Sequence, residues 1–221
     1  MTLSEAATRL AAVNDTIARN ARIAGRESDA VTLIAISKTH DADAIRPLIG
    51  AGQRAFGENR VQEAQAKWPA LKGEAAGTTL HLVGQLQSNK AADAVALFDA
   101  IHSVDRPSLV DALGRIAATG TAMPRLFVQV NIGAEEQKGG CAIADLPALL
   151  ARAADAGLTI DGLMAVPPAD VEAAPYFALA AKLARDNGLA GLSIGMSGDY
   201  ETAVMLGATH VRVGSALFGA R

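Results

Sequence analysis

Eight short apolar or β-branched runs recur along the chain, separated by segments of helical spacing. The runs are VTLIAIS (31–37), RAFGE (54–58), LHLVG (80–84), AIHSV (100–104), RLFVQVNI (125–132), TIDGLMAV (159–166), GLSIGM (191–196) and THVRVG (209–214). Each has the length of a buried strand and falls short of a typical helix. Between them, segments such as 42–51, 60–71, 89–100 and 146–156 repeat apolar residues three and four apart, and Gly50, Gly120, Gly157 and Gly207 stand where helices stop. Strand and helix in alternation predict an α/β fold with a parallel sheet, and eight repeats predict a single (β/α)8 TIM-type barrel. An open doubly wound sheet is the alternative. Its glycine-rich turn after the first strand is missing, because the chain runs there into Ser37-Lys38-Thr39.

Residues 1–25 precede the repeats and read as an extra N-terminal helix. Thr2 and Glu5 have capping-box spacing, and Leu10, Val13 and Ile17 share one face. No linker or low-complexity tract follows, so the expectation is one domain over 1–221, with the leading helix at 1–25 and the barrel at 31–221. Half of the residues are apolar, which fills a sizeable core. A net charge of −3 supplies no basic excess for nucleic acid. No apolar run approaches the ~20 residues that span a bilayer. The first residues include Glu5 and Asp15 and lack the apolar stretch of an export signal. One cysteine, Cys141, makes no internal disulfide. A cytoplasmic protein without membrane or nucleic-acid partners is expected. The four histidines lack metal-ligand spacing, so no metal site is expected either.

In such a barrel the working face is the C-terminal end of the strands. Lys38 follows the first strand and shares a face with Ile34 and Ile36. An ammonium above an apolar interior loses hydration, which frees the amine for imine chemistry; a lysine that snorkels to solvent is the plainer alternative. Ser197 follows strand seven, and Gly214-Ser215 follow strand eight, where barrels often hold phosphate. Ordinary turn glycines and capping serines would explain either loop alone. Arg212 alternates with Val211 and Val213 and so faces inward, where it needs a ligand or an acidic neighbour. Asn59 lies just past strand two and Met164 near the end of strand six. His81 lies inside strand three, as a pocket or a core residue. An amine, a phosphate cup and a partner for a ring nitrogen are together what pyridoxal 5′-phosphate requires.

The blocks AISKT (35–39), FGENRVQE (56–63), HLVGQLQSNK (81–90), GLM (162–164), GMSGD (195–199) and VRVGSALFG (211–219) resemble the pyridoxal phosphate homeostasis protein family. The resemblance runs in order from about residue 31 to the C-terminus. It implies a barrel similar to the N-terminal domain of alanine racemase, without the racemase's β-rich second domain. It also implies a binder of pyridoxal phosphate that buffers or delivers the cofactor, with no established catalysis and no catalytic residues to assign. Lys38 would carry the covalent imine. Ser197, Gly214 and Ser215 would hold the phosphate, Arg212 would face the pyridine nitrogen, and Asn59 and Met164 would line the pocket. Pyridoxal-dependent apoenzymes or amino acids would take the cofactor on. A monomer is expected, since the racemase dimer depends on the missing domain.

Three positions depart from the family pattern. Leu80 stands where tryptophan is common, Val83 where isoleucine is usual, and Gln137 where serine usually precedes the lysine, here Lys138. The stretch 166–176 is also shorter than usual. An arginine at the ring nitrogen keeps that nitrogen unprotonated and weakens the cofactor as an electron sink. Tyr176 and Tyr200 are the chain's two tyrosines, and neither is placed as a racemase base. A weak racemase or aldolase on the same fold is the competing expectation. Cys141 and Trp68 read as packing residues, and Asn89-Lys90 as a helix start with Lys90 near the pocket rim.

Overall fold

The structure is a computed structural model and describes residues 1–219. Among these residues the strands are β1 (Thr32–Ile36), β2 (Ala55–Glu58), β3 (Thr79–Leu82), β4 (Ala100–Val104), β5 (Arg125–Val130), β6 (Gly162–Ala165), β7 (Gly191–Ser193) and β8 (His210–Val213). They are parallel and close in sequence order into one barrel, β8 pairing back onto β1 with His210 opposite Thr32 and Val213 opposite Ala35. The (β/α)8 expectation is met.

Around the barrel run α2 (Ala42–Gly50), α3 (Val61–Glu74), α4 (Ala91–Leu97), α5 (Pro107–Ala117), α6 (Leu146–Asp155), α7 (Ala174–Asp186), α8 (Tyr200–Met205) and α9 (Ser215–Phe218), all preceded by α1 (Leu3–Ile23). Outward strand residues such as Leu33, Leu80, Leu126, Leu163 and Val211 join the helix faces in one continuous apolar layer. Among the described residues no helix is long and apolar enough to cross a membrane.

Local chemistry trims the predicted elements. β5 stops at Val130 because the Asn131 side chain closes a turn, its Oδ1 accepting from Glu135 N–H and its Nδ2 donating to Glu135 O. β6 starts only at Gly162, after Asp161 has accepted from Leu126 N–H and paired with Arg125 at 3.1 Å. Gly50 is not a helix stop. It is the last residue of α2, and the left-handed residue is Gly52, at φ 101°. A Cβ at Gly50 would stand 3.1 Å from Leu3 Cδ1, so this glycine admits α1.

The capping box at Thr2 and Glu5 starts α1 as the spacing predicts. Its buried face, Ala6, Leu10, Val13 and Ile17, packs toward α2, α8 and α9. Two arginines fasten it there. Arg9 donates to Leu217 O at 3.4 Å, and Arg26, just beyond α1, donates to Val204 O at 3.0 Å and Ala208 O at 2.8 Å. The last carbonyls of a helix have no intrahelical donor, so Arg26 caps α8 from outside.

Candidate functional site

A cavity of about 450 Å³ opens at the C-terminal ends of the strands, a volume suited to a small molecule. Six of the seven predicted residues line it: Lys38, Asn59, Ser197, Arg212, Gly214 and Ser215. Ile36, His40, Val83, Val166, Met196 and Gly219 complete the wall. Met164 is outside this lining. It is buried in β6, in register with Ser193 of β7.

The loop carrying Lys38 is held from behind by α3. Lys67 donates to Ser37 O at 3.0 Å and His40 O at 2.7 Å, one carbonyl on each side of Lys38. The same ammonium pairs with Glu58 at 2.9 Å and Glu63 at 3.1 Å. Glu58 is fully buried and also accepts from Ser37 Oγ and from Trp68 Nε1 at 3.0 Å. Thr39 has φ 67°, a left-handed conformation that costs a non-glycine residue about 1 kcal/mol or more. Its N–H donates to Glu63, which offsets that cost. Trp68 thus packs on Phe56, as the sequence predicts, and also serves Glu58.

Arg212 is 5% exposed and enters the cavity wall from β8. Nη1 donates to Ser193 O at 2.6 Å and Ser193 Oγ at 2.8 Å, and Nη2 donates to Ala165 O at 2.9 Å. All three acceptors are neutral. Among the described residues it makes no ion pair with a carboxylate. Burial brings its pKa down to about 10, opposed by Asp199, so it remains charged at neutral pH. An isolated buried cation is costly unless something in the cavity answers it.

Just beyond β7, beside Arg212, the 195–199 turn is tied by Met196 N–H donating to Asp199 Oδ1 at 2.6 Å. Ser197 Oγ accepts from Gly214 N–H at 3.1 Å, joining the loops after β7 and β8. Gly214 has φ −116°, which any residue adopts, and a Cβ there would meet only Ile36 at 3.6 Å. Its glycine therefore leaves open cavity wall rather than permitting a turn. Ser215 and Ala216 follow at the start of α9, whose first amides have no carbonyl behind them. His40 stacks on Phe218 of α9, ring centroids 4.2 Å apart, and links this wall to the Lys38 loop.

Other side chains fall outside the cavity. His81 takes the core role, with Nδ1 3.0 Å from His102 Nε2. Burial, and then the neighbouring His210, push its pKa down to about 3; burial also holds His102 well below the usual imidazole range. Lys90 pairs with Asp93 at 3.3 Å on the rim of a separate cleft shared with Asn59 and Gln85. Lys138 pairs with Glu135 and donates to Pro167 O at 2.8 Å. Cys141 is buried, and burial first, then Asp105 and Asp145, raise its thiol to about 11. Among the described residues no cluster of three or more His, Cys, Asp or Glu could hold a metal ion. Sequence reasoning missed His40, Val83, Val166 and the Lys67–Glu58 pair, although alternation from Lys38 already pointed to Ile36.

The family model described as alanine racemase, N-terminal domain, matches residues 14–221. The pyridoxal phosphate homeostasis protein of Pseudomonas aeruginosa is 40% identical over 99% of this chain and 97% of its own. The protein of the same name from Escherichia coli is 37% identical over 99% of this chain and 98% of its own. The structure of PipY from Synechococcus elongatus with PLP bound matches with a TM-score of 0.82 at 42% identity, covering 97% of this chain and 100% of that one.

Proposed function

Because the chain belongs to the pyridoxal phosphate homeostasis proteins, within the alanine racemase N-terminal domain family, we propose that it binds pyridoxal 5′-phosphate as an imine of Lys38 and acts as a carrier. One observation carries this reading: Arg212, a buried guanidinium with no carboxylate partner among the described residues, lines the same cavity as Lys38. The rest of the donor set fits the cofactor. Lys38 would hold it by its amine, an imine to the cofactor's aldehyde forming with loss of one water. Ser197, Ser215 and the first amides of α9 meet the phosphate, and the open wall at Gly214 gives it room. Asn59 is the remaining contact toward the ring; Met164, expected there from the sequence, lies outside the lining.

When bound, the cofactor supplies an electron sink for amino-acid chemistry. Arg212 limits that sink, since a protonated guanidinium donates to an unprotonated ring nitrogen and cannot protonate it. Tyr200 lies buried in α8 and Tyr176 half-buried in α7, and neither lines the cavity. These features, with the homeostasis names of the relatives, support holding and release over turnover. Release by hydrolysis, or by exchange onto an amino acid or a pyridoxal-dependent apoenzyme, suits a cavity open at the barrel mouth. The cytoplasm is the compartment where such exchange would take place.

The test is a visible absorbance spectrum before and after borohydride, with peptide mapping of the reduced adduct. A yellow protein whose label maps to Lys38 is the expected result. Lys38→Ala loses the label and keeps the wild-type melting temperature, because this side chain fills no core position. A colourless wild-type chain that takes up no added cofactor overturns the reading. The racemase fold favours one competitor, a weak racemase or aldolase. Solvent deuterium entering the α-position of an added amino acid, dependent on Lys38, would establish that activity and displace the carrier.

A further inference from the structure

The acceptors around Arg212 continue into a chain of side chains that no step above uses. Ser193 Oγ, which takes an Arg212 N–H, lies 2.9 Å from His102 Nδ1. His102 Nε2 lies 3.0 Å from His81 Nδ1, and His81 Nε2 lies 3.4 Å from Thr79 Oγ1. The path runs from β8 to β7, β4 and β3 through the barrel interior, with His102 stacked on Phe127 at 4.3 Å between centroids.

Donor counting gives this chain a direction. A guanidinium only donates, so Ser193 Oγ accepts from Arg212. The serine proton then has one acceptor in the chain, His102 Nδ1. That leaves His102 with its proton on Nε2, donated to His81 Nδ1, and His81 with its proton on Nε2, donated to Thr79 Oγ1. The reverse direction strands the buried Ser193 proton without an acceptor. It also turns every dipole's positive end toward the cation. Burial keeps both imidazoles neutral, so no second charge enters the path.

We propose that Ser193, His102 and His81 are positioning residues for Arg212, a one-way hydrogen-bond chain that pins the guanidinium to the cavity wall without a carboxylate and leaves its charge unmatched for the ligand. A carboxylate would hold the arginine as firmly but would cancel its field at the cavity. The chain rests on Arg212 being the cavity's cation, as read above. His210 stands beside it on a separate branch, bonded to Thr209 Oγ1 at 2.8 Å and 3.5 Å from Arg125.

Two measurements test it. Long-range nitrogen-15 spectra of the cofactor-free protein should show both His81 and His102 protonated on Nε2 and unprotonated on Nδ1. An Nδ1 proton on either histidine overturns the chain. In the loaded protein, Ser193→Ala and His102→Leu should release pyridoxal phosphate about tenfold faster and shift its absorbance band, the loss expected for one hydrogen bond to a charged group. His102→Asn, which keeps an acceptor near the Nδ1 position, should restore both. Leu113→Ala, a core truncation in α5 remote from the path, should lower the melting temperature and leave release and absorbance unchanged. If Ser193→Ala and His102→Leu behave like Leu113→Ala, the chain is only structural and the proposal fails. A wild-type chain that takes up no cofactor fails the carrier reading instead, and the tautomers then decide the chain alone.

Discussion

Lys67 shows how one side chain can set the position of another that it does not touch. Its ammonium joins two backbone carbonyls and two carboxylates, and the loop it gathers is the one that presents Lys38. Lys67→Met leaves Glu58 fully buried without its counter-charge, at a cost of about 3–5 kcal/mol. Urea unfolding should report that loss, and the added Glu58→Gln change should recover part of it. An unchanged midpoint would mean that the pair carries no net stability. Lys38 itself was legible in the sequence, because strand alternation and a strand end suffice to aim a side chain at the barrel mouth. The Glu58–Lys67 pair was not. Nothing in the spacing of residues 58 and 67 says that α3 folds back so that its lysine meets the end of β2. Met164 marks the same limit, since register alone leaves it a layer away from the lining of the cavity.

At the scale of elements, α1 and its two arginines make the leading segment a brace for the loops after β7 and β8. Arg26→Ala removes its hydrogen bonds to Val204 O in α8 and Ala208 O just beyond it and should lower stability by about 1–3 kcal/mol. Thermal melts would show it against Arg22→Ala, an exposed change at the end of α1 that should leave the melting temperature in place. The order of strands and helices was readable because each strand is a short apolar run and each helix repeats at 3.6 residues. Lengths were less so. GLSIGM spans 191–196, yet β7 ends at Ser193, since Gly195 at φ 88° has already turned the chain toward Ser197. Turns set by side chains, such as that at Asn131, stay hidden until their acceptors are in place.

For the molecule as a whole, the barrel interior holds three neutral imidazoles, at His81, His102 and His210. Burial is the main cause in each. His210 and Arg125 reinforce it at His81, and Arg125 and Arg212 at His102 and His210, while Asp99 opposes it at His81 and Asp161 at His210, leaving His81 near 3 and His210 near 4. Above pH 6.5 folded and unfolded chains are both unprotonated at these rings, so stability is complete there. Below it the unfolded chain takes up protons that the folded barrel refuses, and stability falls by up to about 1.4 kcal/mol per pH unit for each ring. Urea midpoints at pH 7 and pH 5 measure this directly, and equal midpoints would place charged imidazoles in the folded interior. The closure of β8 on β1 carries a further meaning for a chain still being made. Lys38 emerges early, but Arg212, the Gly214-Ser215 turn and the partners of α1 in α8 and α9 all emerge late. A nascent chain that has not yet delivered residues 210–219 therefore carries Lys38, Asn59 and Ser197 but lacks Arg212 and the Gly214-Ser215 turn, and the cavity is complete only once β8 has closed on β1.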